Sequence, residues 1–146
     1  MKIAIFGQYY QNDTRPIIKD IFVYLNHNHV ELVIEEAFLK ILYAEEILKK
    51  EYKTFSTYKD LDSSFDLLIS IGGDGTILRA ITYVRNTGIP ILGVNAGRLG
   101  FLATIQFENI EPLLRKLLNN DYAISKRTLL SIETTPEYDN FSELDF

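Results

Sequence analysis

Three glycines and a carboxylate share five consecutive positions, Gly72-Gly73-Asp74-Gly75-Thr76. Glycines so dense let main-chain N–H groups approach a bulky anion, because no Cβ stands in the way. The anion that suits such a cradle is a phosphate. Asp74 is then out of place on electrostatic grounds alone, since a carboxylate repels phosphate. Its presence points to chemistry beside a transferred phosphoryl group, as a proton acceptor or a magnesium ligand.

The flanking residues say how the cradle is held. An apolar run, Leu67-Leu68-Ile69-Ser70-Ile71, precedes it and reads as a buried strand. After it, Ile77, Leu78, Ala80, Ile81 and Val84 recur at helical spacing, which predicts a helix from about Thr76 to Val84. The glycines therefore fall where a strand passes into a helix N-terminus, whose unpaired N–H groups and dipole favour anions. A second glycine-bearing loop, Asn95-Ala96-Gly97-Arg98-Leu99-Gly100-Phe101-Leu102, follows a predicted strand over 89–94.

Further strands are predicted over 2–6 and 30–34. Helices are predicted from Ile17, Ile18, Ile21, Phe22 and Leu25, from Phe38, Ile41, Leu42 and Leu48, and from Ile110, Leu113, Leu114, Leu117 and Leu118. Residues 53–65 read as polar and irregular, a candidate mobile flap, and 122–134 as one longer strand. Strand and helix in strict alternation imply parallel pairing with right-handed crossovers. Short, continuously apolar strands imply a sheet covered on both faces. The expected fold is α/β, a Rossmann-like open, mostly parallel sheet with helices on both faces. Ligands in such sheets bind beyond the C-terminal strand ends, so both glycine loops can face one crevice.

Composition narrows the function. With 47 % hydrophobic residues the 146-residue chain can bury a core, and with no cysteine it has no disulfide framework or Cys-based zinc site. No apolar stretch approaches membrane-spanning length. The net charge of −5 lies at one end: five acids and no Lys or Arg fall after Ile132, leaving fifteen of the twenty acids against all fifteen bases. A neutral body gives no support for nucleic-acid binding.

The first loop lacks the lysine of a P-loop, and neither loop has the spacing of a dinucleotide fingerprint. Alone, the first could be a tight turn with Asp74 near an N-cap. Taken together, the two loops, their interval and the segment Lys2–Gly7 resemble the NAD kinase family, from Met1 to about Thr134. The GGDGT form is shared with diacylglycerol and sphingosine kinases. The second motif, N-x-G-x-L-G-F-L, is far more specific.

The resemblance implies that Asp74 is the general base, taking the proton from the adenosine-ribose 2′-hydroxyl of NAD as it attacks the γ-phosphate of ATP. It implies that Gly75 contacts the dinucleotide and that Gly72, Gly73 and Thr76 form the phosphate-cradling turn. Leu99, Gly100 and Phe101 match positions lining the nucleotide pocket, which Asn95 and Gly97 would shape. Magnesium would bridge the triphosphate. Arg79 and Arg98 are the cations nearest the loops. Arg79 could reach back toward a phosphate or be a solvated helix arginine; Arg98, between glycines, is the better candidate. Phe101 is equally a core anchor or a pocket wall.

The family also has a β-rich second domain with an Asn-acidic pair and a Gly-Ser-Thr-Ala stretch, and the match, which ends near Thr134, includes no counterpart of either. The expected organisation is an α/β nucleotide-binding domain over 1–124, then over 125–146 the start of that second domain or a disordered acidic tail. The chain alone is expected to have little or no kinase activity. Location in the cytoplasm, and a dimer or tetramer when full length, are expected by resemblance. A lipid kinase catalytic domain and a non-catalytic nucleotide-binding module remain as alternatives.

Overall fold

A computed structural model describes residues 1–8, 14–95, 100–103 and 110–129. Strand β1 (Lys2–Gly7) leads to helix α1 (Arg15–His27), β2 (Glu31–Glu35) and α2 (Glu36–Ala44). Then follow β3 (Lys53–Phe55), a 3-10 turn (Tyr58–Asp60), β4 (Leu67–Gly72), α3 (Asp74–Val84), β5 (Ile91–Asn95) and α4 (Ile110–Leu118).

The five strands form one parallel sheet in the order β3-β2-β1-β4-β5. Register aligns Ile5 with Ile34 on one side and with Ile69 on the other. Chain direction across the sheet reverses between β1 and β4, which makes the space above their C-terminal ends the switch point. One face buries Ile3, Ile5, Ile69 and Ile71 against α1, α2 and α4 through residues such as Phe22, Leu42 and Leu114. The other face buries Ala4, Phe6 and Leu68 against Ala80 and Val84 of α3 and against Phe55, Leu61 and Phe65. Both faces are thus covered, as the unbroken apolar strands require.

Four expectations change. The second helix stops at Ala44, short of Leu48, because the chain turns out of helical geometry at Glu46, where φ is +53°. Residues 53–65 are not an irregular flap. Lys53–Phe55 adds an edge strand to β2, and Phe55, Leu61 and Phe65 are buried beside α3. The polar residues between them serve the turn: Asp60 Oδ2 accepts from the N–H of Ser56 at 3.0 Å and of Thr57 at 2.8 Å. The predicted strand over 122–134 has no strand in its described part, 122–129, where every residue is exposed. Alternating side chains there have no neighbouring strand to pair with among the described residues. Helix α3 begins at Asp74, two residues before the expected start, because Gly73 is extended and takes the N-cap position.

Ser70, in the centre of β4, is fully buried, and its Oγ has no hydrogen-bond partner.

Candidate active site

Asp74 opens helix α3, and its side chain turns toward the second loop rather than into the core. Its Oδ2 accepts from the Phe101 N–H at 2.8 Å. Its Oδ1 accepts from the N–H groups of Leu102 and Ala103, each at 2.9 Å. These donors, Ala103 foremost, then Leu102 and Phe101, hold the carboxyl below the ordinary aspartate value. The two loops predicted to share a crevice therefore touch, and the carboxylate joins them. Gly100 makes the contact possible: a Cβ there would lie 2.2 Å from Asp74 Oδ1.

The glycines of the first loop divide by role. Gly72 has φ +154°, and a Cβ on it would sit 2.2 Å from Thr76 Oγ1, so the turn itself demands glycine. Gly73 and Gly75 are different. A Cβ on either would meet nothing within 4 Å, and Gly73 is plainly extended with φ −91° and ψ −168°. Neither packing nor backbone asks for glycine at these two positions. What their missing side chains leave is open access to the helix N-terminus, which has no side-chain cap.

Thr76 is buried. Its N–H donates to the Gly73 carbonyl at 3.0 Å and its hydroxyl donates to Gln8 Oε1 at 3.3 Å. It braces the turn from below and ties it to the end of β1. Asn95 is buried at the end of β5, in register with Gly72. Phe101 is 95 % exposed, which removes it from the core and leaves it on the rim beside Asp74. Gly97, Arg98 and Leu99 lie outside the described residues. Arg79 is exposed on α3, with its guanidinium 5.9 Å from the Phe6 ring centroid, on the wall of a second feature.

That feature is a cleft of ≈ 460 Å³ over the C-terminal ends of β1 and β2, between α2 and α3. Its lining includes Gln8, Glu35, Ala37, Arg79 and Tyr83. Glu35 is buried at the end of β2, and its Oε2 accepts from the Phe38 N–H at 2.7 Å, capping α2. Burial, and after it the Glu35 carboxylate, push the Tyr83 phenol upward. The sequence reading missed Glu35 and the amides of 101–103. Glu35 had a signal, an acid between a strand pattern and a helix pattern. The amides had none, because a main-chain N–H is common to nearly every residue type.

A parallel sheet with a glycine-rich helix N-terminus and an adjoining cleft at its switch point defines a nucleotide-binding α/β domain. The family profile for the ATP-NAD kinase N-terminal domain matches residues 3–122, and the chain belongs to that family. An NAD kinase of Flavobacterium johnsoniae is 60 % identical over 146 residues, covering 100 % of this chain and 50 % of that protein. One from Bacteroides fragilis is 37 % identical over 132 residues, covering 90 % of this chain and 45 % of that protein. The chain spans about half the length of the curated relatives it matches. Among solved structures, yeast NADH kinase complexed with NADH superposes with a TM-score of 0.67 at 21 % identity, over 82 % of this chain and 36 % of that one, a likeness of fold. An NAD kinase from Archaeoglobus fulgidus in complex with ATP has a TM-score of 0.54 and 26 % identity, over 83 % of this chain and 38 % of that one.

Proposed function

We propose that this chain supplies the catalytic carboxylate and the phosphate cradle of an ATP-dependent NAD kinase. The observation that carries the reading is Asp74, at an uncapped helix N-terminus, joined by its carboxylate to the second loop. Family membership supports NAD as acceptor, and the Archaeoglobus fulgidus enzyme crystallised with ATP supports a triphosphate donor.

A carboxylate offers about four lone-pair sites. Oδ1 uses two and Oδ2 uses one on the amides of 101–103. The remaining site, on Oδ2, accepts the hydroxyl proton. The ribose 2′-oxygen bonds to the γ-phosphorus, the bond from that phosphorus to the β–γ bridging oxygen breaks, ADP leaves, and the proton passes to Asp74. The depressed pKa makes Asp74 a weak base. Weak basicity suits a loose phosphoryl-transfer transition state, in which positioning and charge neutralisation do most of the work. The open N–H groups beside Gly73 and Gly75 take the γ-phosphoryl oxygens.

No group of three or more His, Asp or Glu that could hold a metal occurs among the described residues. A divalent cation would be held by the phosphates of the donor and by water, as magnesium commonly is.

The test is a chimera of residues 1–146 followed by the second half of the Flavobacterium johnsoniae enzyme. A coupled assay is expected to show NADP formation, which Asp74→Asn lowers by about 10²–10⁴-fold while ATP still binds. Undiminished turnover in Asp74→Asn would remove Asp74 as the base. The 146-residue chain alone is expected to give little or no NADP.

A further inference from the structure

Gly93 sits in the middle of β5 and takes no part in the chemistry assigned above. We infer that it is a positioning residue for Asp74: its missing side chain is the space in which helix α3 and segment 101–103 come close enough to share the carboxylate. The effect on turnover rests on the kinase reading, whereas the effect on Asp74 itself stands apart from it.

Conformation does not explain a glycine here. The positive-φ glycines among the described residues are Gly72 and Gly88, and Gly93 is not one of them. It lies inside a parallel strand, in register with Ser70 of β4, between Leu92 and Val94. Glycine weakens a strand interior, and where one occurs it often marks the close approach of another part of the chain.

Space does explain it. A Cβ on Gly93 would overlap Ile77 Cδ1 and lie 3.2 Å from both Ile77 Cγ1 and the Ala103 Cα. These neighbours belong to the two sides of the clasp. Ile77 is on α3, about one turn after Asp74. Ala103 is fully buried and donates its N–H to Asp74 Oδ1 at 2.9 Å. Gly93 is thus the point on the sheet where the helix and the donor segment meet. The row of side chains beneath them follows the same logic. Phe6, Ser70 and Gly93 are in register across β1, β4 and β5, so side-chain bulk falls to nothing on the strand that carries Ile77 and Ala103.

A methyl group at position 93 acts at one remove. Its overlap with Ile77 lifts the first turn of α3, and its contact with Ala103 displaces the donors. Either motion lengthens hydrogen bonds that stand at 2.8–2.9 Å, and a reaction governed by alignment is sensitive to such a shift. Ala103 is also the foremost of the three donors that hold the Asp74 carboxyl down, and no charged side chain among the described residues shares that task.

The experiment compares Gly93→Ala, the same change combined with Ile77→Val, and Val84→Ala. Ile77→Val removes the Cδ1 that the methyl strikes. Val84→Ala loosens the far end of α3 without touching the clasp. In the 146-residue chain, the ¹³C titration midpoint of Asp74 is expected to rise in Gly93→Ala toward the ordinary value of about 3.9. It is expected to come back partly or wholly in the double variant. In Val84→Ala it is expected to stay in place although the unfolding midpoint falls. In the chimera, Gly93→Ala is expected to lower kcat at least about tenfold, with KM for ATP and NAD within about twofold, and Ile77→Val to restore most of the loss. An unchanged Asp74 midpoint in Gly93→Ala, or an equal rise in Val84→Ala, would overturn the inference. Should Gly93→Ala not fold, the double variant decides: a midpoint above that of the unaltered chain supports the role, and an equal one removes it. A raised midpoint with kcat unchanged keeps Gly93 as the support of Asp74 and removes Asp74 as the base. An unchanged midpoint, with turnover still lost in Asp74→Asn, strikes Gly93 and leaves the kinase reading standing.

Discussion

Gly73 and Gly75 differ from Gly72 in a way that substitution can expose. At Gly72 a methyl group would collide with Thr76, so Gly72→Ala is expected to destabilise the fold by about 1–3 kcal/mol in urea unfolding. At Gly73 and Gly75 the methyl meets nothing. Alanine at either is expected to leave the unfolding midpoint nearly unchanged, yet to weaken tripolyphosphate binding; retained binding in both would deny them a role in the cradle. Asp74 makes a second prediction, with a sign set by its hydrogen bonds. Its native pKa lies below the unfolded value, so its tie to 101–103 is present at neutral pH and is lost as pH falls through the native pKa. A ¹³C carboxyl titration is expected to place that midpoint below about 3.9, the ordinary aspartate value, and the Leu102 and Ala103 amide shifts are expected to move with it. A midpoint at or above the ordinary value would mean that the clasp is absent in solution.

Elements supply the support behind these residues. Helix α3 positions Asp74 at its N-terminus, and Ala80 and Val84 anchor it on the sheet. Part of that anchoring comes from residues 53–65, which composition presents as a loop. Phe55 is almost fully buried there, with its ring edge-on to Tyr83 at 5.4 Å between centroids. Phe55→Ala is expected to cost about 3–5 kcal/mol in chemical denaturation. A cost near zero would return this segment to the status of a flap. On β4 the expectation runs the other way. Ser70 keeps a buried hydroxyl without a partner, and Ser70→Ala is expected to hold or raise the melting temperature, because an unsatisfied buried polar group costs about 1–3 kcal/mol.

Across the whole molecule, β1 and β4 lie at the centre of the sheet, and the site stands where their connections diverge to opposite faces. Helix α4 closes one face, with Leu114 fully buried in the same core as α1. If α4 belongs to one cooperative unit with the sheet, Leu114→Ala is expected to destabilise by about 2–5 kcal/mol, with fluorescence and circular dichroism transitions shifting together. Separate transitions would make α4 an appendage. No helix among the described residues is long and apolar enough to cross a membrane.

Local pattern was enough for a good deal of this. Apolar runs and helical spacing identify β1, β2, β4, β5 and the four helices of the described residues, because burial on a face repeats along the chain. The GGDGT turn and the Asn95–Leu102 motif mark the two loops, because only certain residue types leave room for an anion. Three results needed the folded chain. Residues 53–65 became an edge strand only when Phe55, Leu61 and Phe65 found the sheet. Asp74 acquired its partners from amides 27 to 29 residues away, and main-chain amides carry no side-chain signature. The cleft at Glu35 exists because α2 and α3, separated in the chain by β3 and β4, meet over the ends of β1 and β2. Periodicity is a property of one segment, whereas a site is a meeting of several, and only packing brings them together.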